Sequence, residues 1–398
     1  MNGYLISVLI AAALTAFALF APRRTRLTAT LSFWLGMVVS ELPLALVAWL
    51  ALATALAAID AALWTTPGLI AVLLMVPIAA GLVVIFFRGL AARPTLATSL
   101  RAAGLWRAAD QVATPPHAGV ALLDVLAPFA VGARRVRRIR NQRYGPHGRR
   151  NLLDVYVGNH AGPAPVVIYA HGGGYYSGRK NKEARMLLTR LAAEGYVCAS
   201  VNYRLRPAVG FDEHLTDFAA AVRWMRANAE RFGGDPRRLV LAGTSAGAHL
   251  ATITGLSPEV TRATGEPGIE SGDVRAVLGF GGYYGHYYGL DSRHQPSSHP
   301  IDHIDGDAPA HFVVHGELDP YVPVSLARRL VAALRATSRR PVVFAELPGA
   351  HHVFDLFRTP RYRAVMDAAR AFLNEVAPID AGSRRDVASA ESPSRRGR

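Results

Sequence analysis

The stretch "RLVLAGTSAGAHLA", residues 238–251, runs an apolar segment into a glycine, sets one serine among small residues and resumes as a good helix former. An apolar strand ending at Ala242 and a helix starting directly after Ser245 give "GTSAG" the strand–turn–helix context that a G-x-S-x-G nucleophile elbow requires. That reading explains Gly243 and Gly247, because the serine backbone is strained and strand and helix approach where a Cβ would clash. Taken alone, the motif also fits an ordinary strand-to-helix turn with a capping serine, so the rest of the chain decides.

Outward from this point, short apolar runs alternate with helical ones from residue 151 onward. Strands are expected at 152–157, 165–170, 196–201, 238–243, 276–281, 311–316 and 341–347, and helices at 181–194, 213–232, 246–255, 323–336 and 360–375. Such alternation builds a mostly parallel, doubly wound α/β sheet with helices on both faces. After the second strand comes "HGGGYYSG" (171–178), whose consecutive glycines turn backbone N–H groups toward a site without side chains in the way. Gly173 and Gly174, with the N–H of Ala246, are the candidate oxyanion donors, and His171 is read as ordering the loop. A phosphate loop would need Gly-Lys-Ser/Thr or a G-x-G-x-x-G that opens a helix, and neither is present.

A nucleophilic serine in this setting needs an acid and then a histidine, each after a later strand. "FVVHGELDPYVP" offers Asp319, and "VVFAELPGAHHVFD" offers His351 and His352. Glu317 and Asp291 are weaker acid candidates. Tyr175, together with Tyr283 and Tyr284 of "GGYYGHYYG" (281–289), either lines a substrate pocket beside the serine or packs a lid against the sheet. H-E-x-x-H and cysteine-bearing zinc patterns are absent, so neither a metal nor an organic cofactor is expected.

The first 93 residues differ in character. Three apolar runs, 3–21, 31–59 and 67–87, reach membrane-crossing length, the second interrupted by Glu41 and Pro43. Glu41 is read as marking a kink or a snorkelling group. A cleaved signal peptide is the rival for the first run, but it lacks a basic n-region and two more spans follow it. Arginines in "PRRTR" and after the third run, set against a turn at Asp60 without bases, put the N-terminus outside and everything after residue 88 in the cytoplasm. The expectation is an integral plasma-membrane protein with a cytoplasmic catalytic domain. Residues 94–143 read as an amphipathic, basic linker or a cap over the active-site mouth, residues 144–379 as the catalytic domain, and 380–398 as a disordered tail.

The net charge of +15 is local: +3 comes from residues 1–93, +8 from 134–150 and +3 from 383–398, leaving +1 for the rest. A near-neutral catalytic region gives nucleic-acid binding no support beyond one basic stretch. That stretch, "RRVRRIRNQR", either grips anionic lipid headgroups or forms an exposed edge strand. Cys198, the single cysteine, lies in an apolar run and excludes an intramolecular disulfide.

With "HGGG", "GTSAG", "HGELDPYVP" and "PGAHHVF" in this order, residues 144–376 resemble the α/β-hydrolase fold, and within it the hormone-sensitive-lipase-like group of carboxylesterases and lipases. The resemblance implies Ser245 as nucleophile, Asp319 as acid and His352 as base, since the group's histidine stands two residues before an aromatic, as His352 stands before Phe354. It further implies carboxylic esters as substrates and no cofactor, and the near-neutral catalytic region, the tyrosine-rich stretch 281–289 and the neighbouring apolar runs add the expectation that these esters are lipophilic. Amide, arylformamide or acyl-transfer chemistry with the same residues, or ligand binding without catalysis, are the alternatives. The three apolar runs depart from the group's soluble members, which adds membrane lipids as partners.

Overall fold

The computed structural model describes residues 3–115, 135–160, 162–257 and 272–379. Its strands are β1 (Arg137–Arg143), β2 (Leu152–Val157), β3 (Ala164–Ala170), β4 (Val197–Val201), β5 (Gly234–Thr244), β6 (Val274–Phe280), β7 (Ala310–Gly316) and β8 (Val342–Leu347). Its helices are α1 (Gly3–Phe20), α2 (Arg26–Leu31), α3 (Met37–Glu41), α4 (Pro43–Ile59), α5 (Thr66–Leu90), α6 (Ala92–Ala102), α7 (Trp106–Ala113), α8 (Arg185–Ala193), α9 (Phe211–Asn228), α10 (Ala246–Leu256), α11 (Val324–Thr337) and α12 (Pro360–Val376).

The strands form one sheet in the order β1-β2-β4-β3-β5-β6-β7-β8, with β2 antiparallel to both its neighbours and the remaining pairs parallel. Alternate residues of β3 serve two cores. Val166, Ile168 and Ala170 join α9 and α10 on one face, and Val167 and Tyr169 join α8 and α12 on the other. Burial on both faces is why these strands read as unbroken apolar runs. Cys198 of β4 is fully buried in the second of these cores, and burial pushes its thiol far above the ordinary range. The chain leaves β3 for β4 on one side and returns to β5 on the other, so the loops after β3 and β5 part at a switch point, where crevices form in open α/β sheets.

The polar stretch Arg137–Arg143 is an edge strand. It is held by more than its ladder: the Asp154 carboxylate, fully buried on β2, receives Arg138 at 2.5 Å and also pairs with Lys180.

In the N-terminal region α1 and α5 lie side by side. A Cβ at Gly81 would stand 2.7 Å from the Thr15 methyl. Two helices, Gly3–Phe20 and Thr66–Ala102, are long and apolar enough to cross a membrane. The expected middle span, 31–59, falls on a pair of helical segments, Arg26–Glu41 and Pro43–Ile59, bent by 87°, the shape of a broken span or of a re-entrant loop. Leu42, at φ −125° and ψ 54°, leaves the helix because proline follows, and Pro43 then opens α4.

Glu41 marks this kink but does not snorkel. Its carboxylate pairs with Arg361 of α12, each side chain only 1% exposed, and accepts a 3.2 Å hydrogen bond from the Thr359 hydroxyl. The helices are therefore docked on the sheet by a buried ion pair. α6 and α7 cover α12 and β8, with Arg93 bonded to Asp367 at 2.5 Å. The remainder of the expected linker, 116–134, and the expected tail, from 380 on, lie outside the described residues.

Candidate active site

β5 delivers Ser245 at φ 54° and ψ −117°, a conformation that costs a non-glycine residue energy and that the flanking contacts enforce. A Cβ at Gly243 would stand 2.3 Å from the Gly247 carbonyl carbon, and one at Gly247 would stand 2.1 Å from the Ala170 oxygen. Strand, helix and the strand next door thus meet at van der Waals limit. The Ser245 N–H donates to the Phe280 carbonyl at 3.0 Å, which fixes the turn from the β6 side.

The loops after β7 and β8 bring Asp319 and His352 to this serine. The Ser245 hydroxyl lies 2.9 Å from His352 Nε2, and His352 Nδ1 donates to Asp319 Oδ2 at 2.6 Å. Asp319 is fully buried and accepts further bonds from the N–H groups of Tyr321 (2.9 Å) and Val322 (2.8 Å). His315 Nε2 stands 3.3 Å from the same Oδ2 that takes His352. Burial alone would raise the Asp319 pKa, but the two histidines outweigh it and hold the carboxyl well below the usual range. Burial likewise disfavours the His352 imidazolium, and Asp319 reverses the sign, so the His352 pKa lies above its ordinary 6.5. His351 points elsewhere and donates to the Ala18 carbonyl at 3.1 Å.

Gly173 at φ 106° and Gly174 at φ 59° hold the loop after β3 in left-handed backbone that favours glycine. Among the described residues their N–H groups have no backbone acceptor. The Gly172 N–H, by contrast, is tied to the Glu183 carboxylate at 2.6 Å. Glu183 also receives the Tyr169 hydroxyl at 3.3 Å, and Thr244, next to the serine, donates to Asp355 at 2.5 Å. Burial, reinforced by the Glu183 charge, pushes the Asp355 carboxyl up to about 7.

The tyrosines divide. Tyr175 is buried and donates to His249 Nδ1 at 2.6 Å, at the centre of an aromatic cluster with Tyr203, His214 and Tyr287. Tyr283 is half-buried, its N–H on the Ser245 carbonyl at 3.2 Å and its ring 5.5 Å from Tyr288. Tyr284 turns inward against Gly279 and Gly282 and joins the core beneath α11, so it faces the sheet and not a pocket.

Sequence reasoning passed over His315, Glu183, Asp355 and Phe33. His315 sits four residues before Asp319 in the same quoted motif and was findable there. Phe33 had no signal among its apolar neighbours, yet its ring lies 4.5 Å from Tyr321 and 6.1 Å from His352. Among the described residues no cluster of three or more His, Cys, Asp or Glu side chains is arranged to hold a metal ion.

A family model described as BD-FAE matches residues 153–286. Esterase LipQ of Mycobacterium tuberculosis is 36% identical over 277 residues, which cover 63% of this chain and 65% of LipQ. Esterase LipC of the same organism is 34% identical over 278 residues, 63% of this chain and 68% of LipC. The chain thus spans 65% and 68% of these two curated relatives. The solved structure of Thermogutta terrifontis esterase 2 phosphonylated by cyclosarin is similar at 26% identity and TM-score 0.51, over 60% of this chain and 94% of its own. On its sheet order, its elbow and these relatives, the chain belongs to the hormone-sensitive-lipase-like esterase group of the α/β-hydrolases.

Proposed function

We propose that the protein is a membrane-anchored serine esterase that hydrolyses lipophilic carboxylic esters. The observation that carries this reading is the continuous hydrogen-bonded line from the Ser245 hydroxyl through both ring nitrogens of His352 to the buried Asp319 carboxylate. His352 takes the Ser245 proton as the oxygen attacks the ester carbonyl, and Asp319 holds the Nδ1–H tautomer and stabilises the imidazolium. The N–H groups of Gly173, Gly174 and Ala246 receive the oxyanion. His352 then protonates the departing alcohol, and water, activated by the same histidine, releases the acid from the acyl-enzyme.

Membrane anchoring is supported by the length and apolarity of α1 and α5 and by apolar side chains on their outer faces, among them Leu73, Val76 and Phe87. The arginines support its orientation. Arg23 and Arg88 lie at the end of the helices that touches the catalytic loops, and Asp60 lies in the turn between α4 and α5 at the other end. Positive-inside then sets the catalytic side in the cytoplasm.

Labelling of the membrane fraction with a fluorophosphonate tests the reading, alongside hydrolysis of p-nitrophenyl esters of graded length. Wild type should be labelled and Ser245→Ala and His352→Ala should not. Absence of labelling in folded wild type would leave a ligand-binding protein on a hydrolase scaffold.

A further inference from the structure

α2, α3 and the π-helical turn between them, Ser32–Gly36, form one segment with two different sides. Ser32, Gly36, Val39, Ser40 and Glu41 are buried against the protein. Leu27, Leu31, Trp34 and Val38 fall on a single stripe at helical spacing and are exposed, Leu27 by 69% and Trp34 by 62%. An apolar stripe facing away from the enzyme, directly before a bend into an apolar helix and directly after exposed Arg24 and Arg26, fits a segment lying in a lipid interface.

The same segment reaches the catalytic loops. A Cβ at Gly36 would come within 2.5 Å of His351 Cε1, so backbone and histidine loop are in direct contact. Arg23 donates to the carbonyl of Asp319 at 3.0 Å, and Ser32 is pinned by a 2.6 Å bond to the Pro22 carbonyl. Within this frame the turn aims Phe33 at Tyr321, and Tyr321 stands 6.2 Å from the His352 ring. Trp34 meets Phe33 edge-on at 5.0 Å, which joins the inner ring to the exposed stripe. Insertion of single π turns into helices is concentrated at functional positions. With its ring centroid 6.1 Å from that of His352, Phe33 stands within reach of a substrate held at Ser245.

We propose that Phe33 is a specificity-determining wall of the active site, supplied by the N-terminal apolar region, and that it selects esters whose long apolar chain reaches Ser245 from the membrane surface. The inference rests on the serine-esterase reading above and deepens it. Lipid enters along Trp34, Phe33 and Tyr321, so the polar reaction at Ser245 proceeds while the chain stays in contact with apolar surface. Short, water-soluble esters leave this wall unused.

The test uses the full-length protein in liposomes, with p-nitrophenyl butyrate and p-nitrophenyl laurate as substrates, for wild type, Phe33→Ala and Phe33→Leu. Fluorophosphonate labelling of Ser245 reports that each variant is folded. In Phe33→Ala the laurate-to-butyrate ratio of kcat/KM should fall about tenfold, chiefly through KM, because the chain loses an aromatic contact. In Phe33→Leu it should fall about threefold, which keeps the test open if the alanine variant does not fold. An unchanged ratio in a labelled variant, whatever the absolute rates, overturns the proposal. Failure of the esterase reading is separate, since wild type itself would then neither label nor turn over either ester.

Discussion

Two buried carboxylates, Asp319 and Glu41, show how differently the two regions of this molecule use polar groups. Asp319 is served by the strand before it, its own loop and the next loop: His315, then the N–H groups of Tyr321 and Val322, then His352. Glu41, beside a 3.2 Å bond from the adjacent Ser40 hydroxyl, is served across the fold by Arg361 and Thr359 more than three hundred residues away. Two further polar contacts cross in the same way, as Arg23 binds the Asp319 carbonyl and the Ala18 carbonyl takes His351. The Asp319 carboxylate serves the candidate site, and the Glu41 carboxylate fastens helices to the sheet. A charged residue inside an apolar run can therefore report docking to a neighbouring layer of the fold.

The largest effect that would break the comparison is on Asp319. Asp319→Asn should lower kcat/KM on the order of 10^4-fold by presenting the wrong imidazole tautomer. Activity needs neutral His352, so in wild type it should rise as pH passes through the raised His352 pKa, above 6.5. Removing the carboxylate should move that acid limb to lower pH in the residual rate, and a limb that stays put would mean another group sets it.

Next comes Glu41→Ala, which leaves Arg361 buried without its partner and should destabilise the protein by about 3–5 kcal/mol. A thermal scan of the detergent-solubilised protein checks this, and an unmoved Tm would mean the pair does not fasten the regions together. Gly36→Ala sharpens the same point. Its methyl collides with His351 and with the Phe17 carbonyl, 2.8 Å away, and should cost about 1–3 kcal/mol. The smallest change is Arg23→Ala, worth about 1 kcal/mol. It should slow butyrate hydrolysis several-fold with Tm nearly constant, and a fall in Tm without a fall in rate would assign Arg23 to stability alone.

The strands were legible because the apolar stretches of β3 to β7 bury both faces and so announce themselves as runs bounded by turns. β1 was only half legible: Arg137–Arg143 has no apolar pattern, and its partners, β2 and the Asp154 carboxylate, are tertiary. Ser245 was legible from its glycines, at each of which a Cβ would collide with neighbouring backbone. The choice between His351 and His352 needed the aromatic at 354, because the contact that occupies His351, the Ala18 carbonyl, belongs to another region of the chain. The bend in the second apolar run was not legible, because hydropathy averages over Leu42 and Pro43, where the helix turns by 87°. Phe33 was invisible for a simpler reason: an aromatic in an apolar run is what any such run contains, and only the fold shows which ring meets the histidine.

Cys198 deserves use as well as description. It is the chain's single cysteine and is sealed inside the sheet, so the native protein offers a water-soluble maleimide nothing to react with. One cysteine introduced at Trp34 or at Asp60 becomes a unique address, without deletion of a native thiol. In sealed vesicles, the face from which each address is modified reads the sidedness of the chain directly.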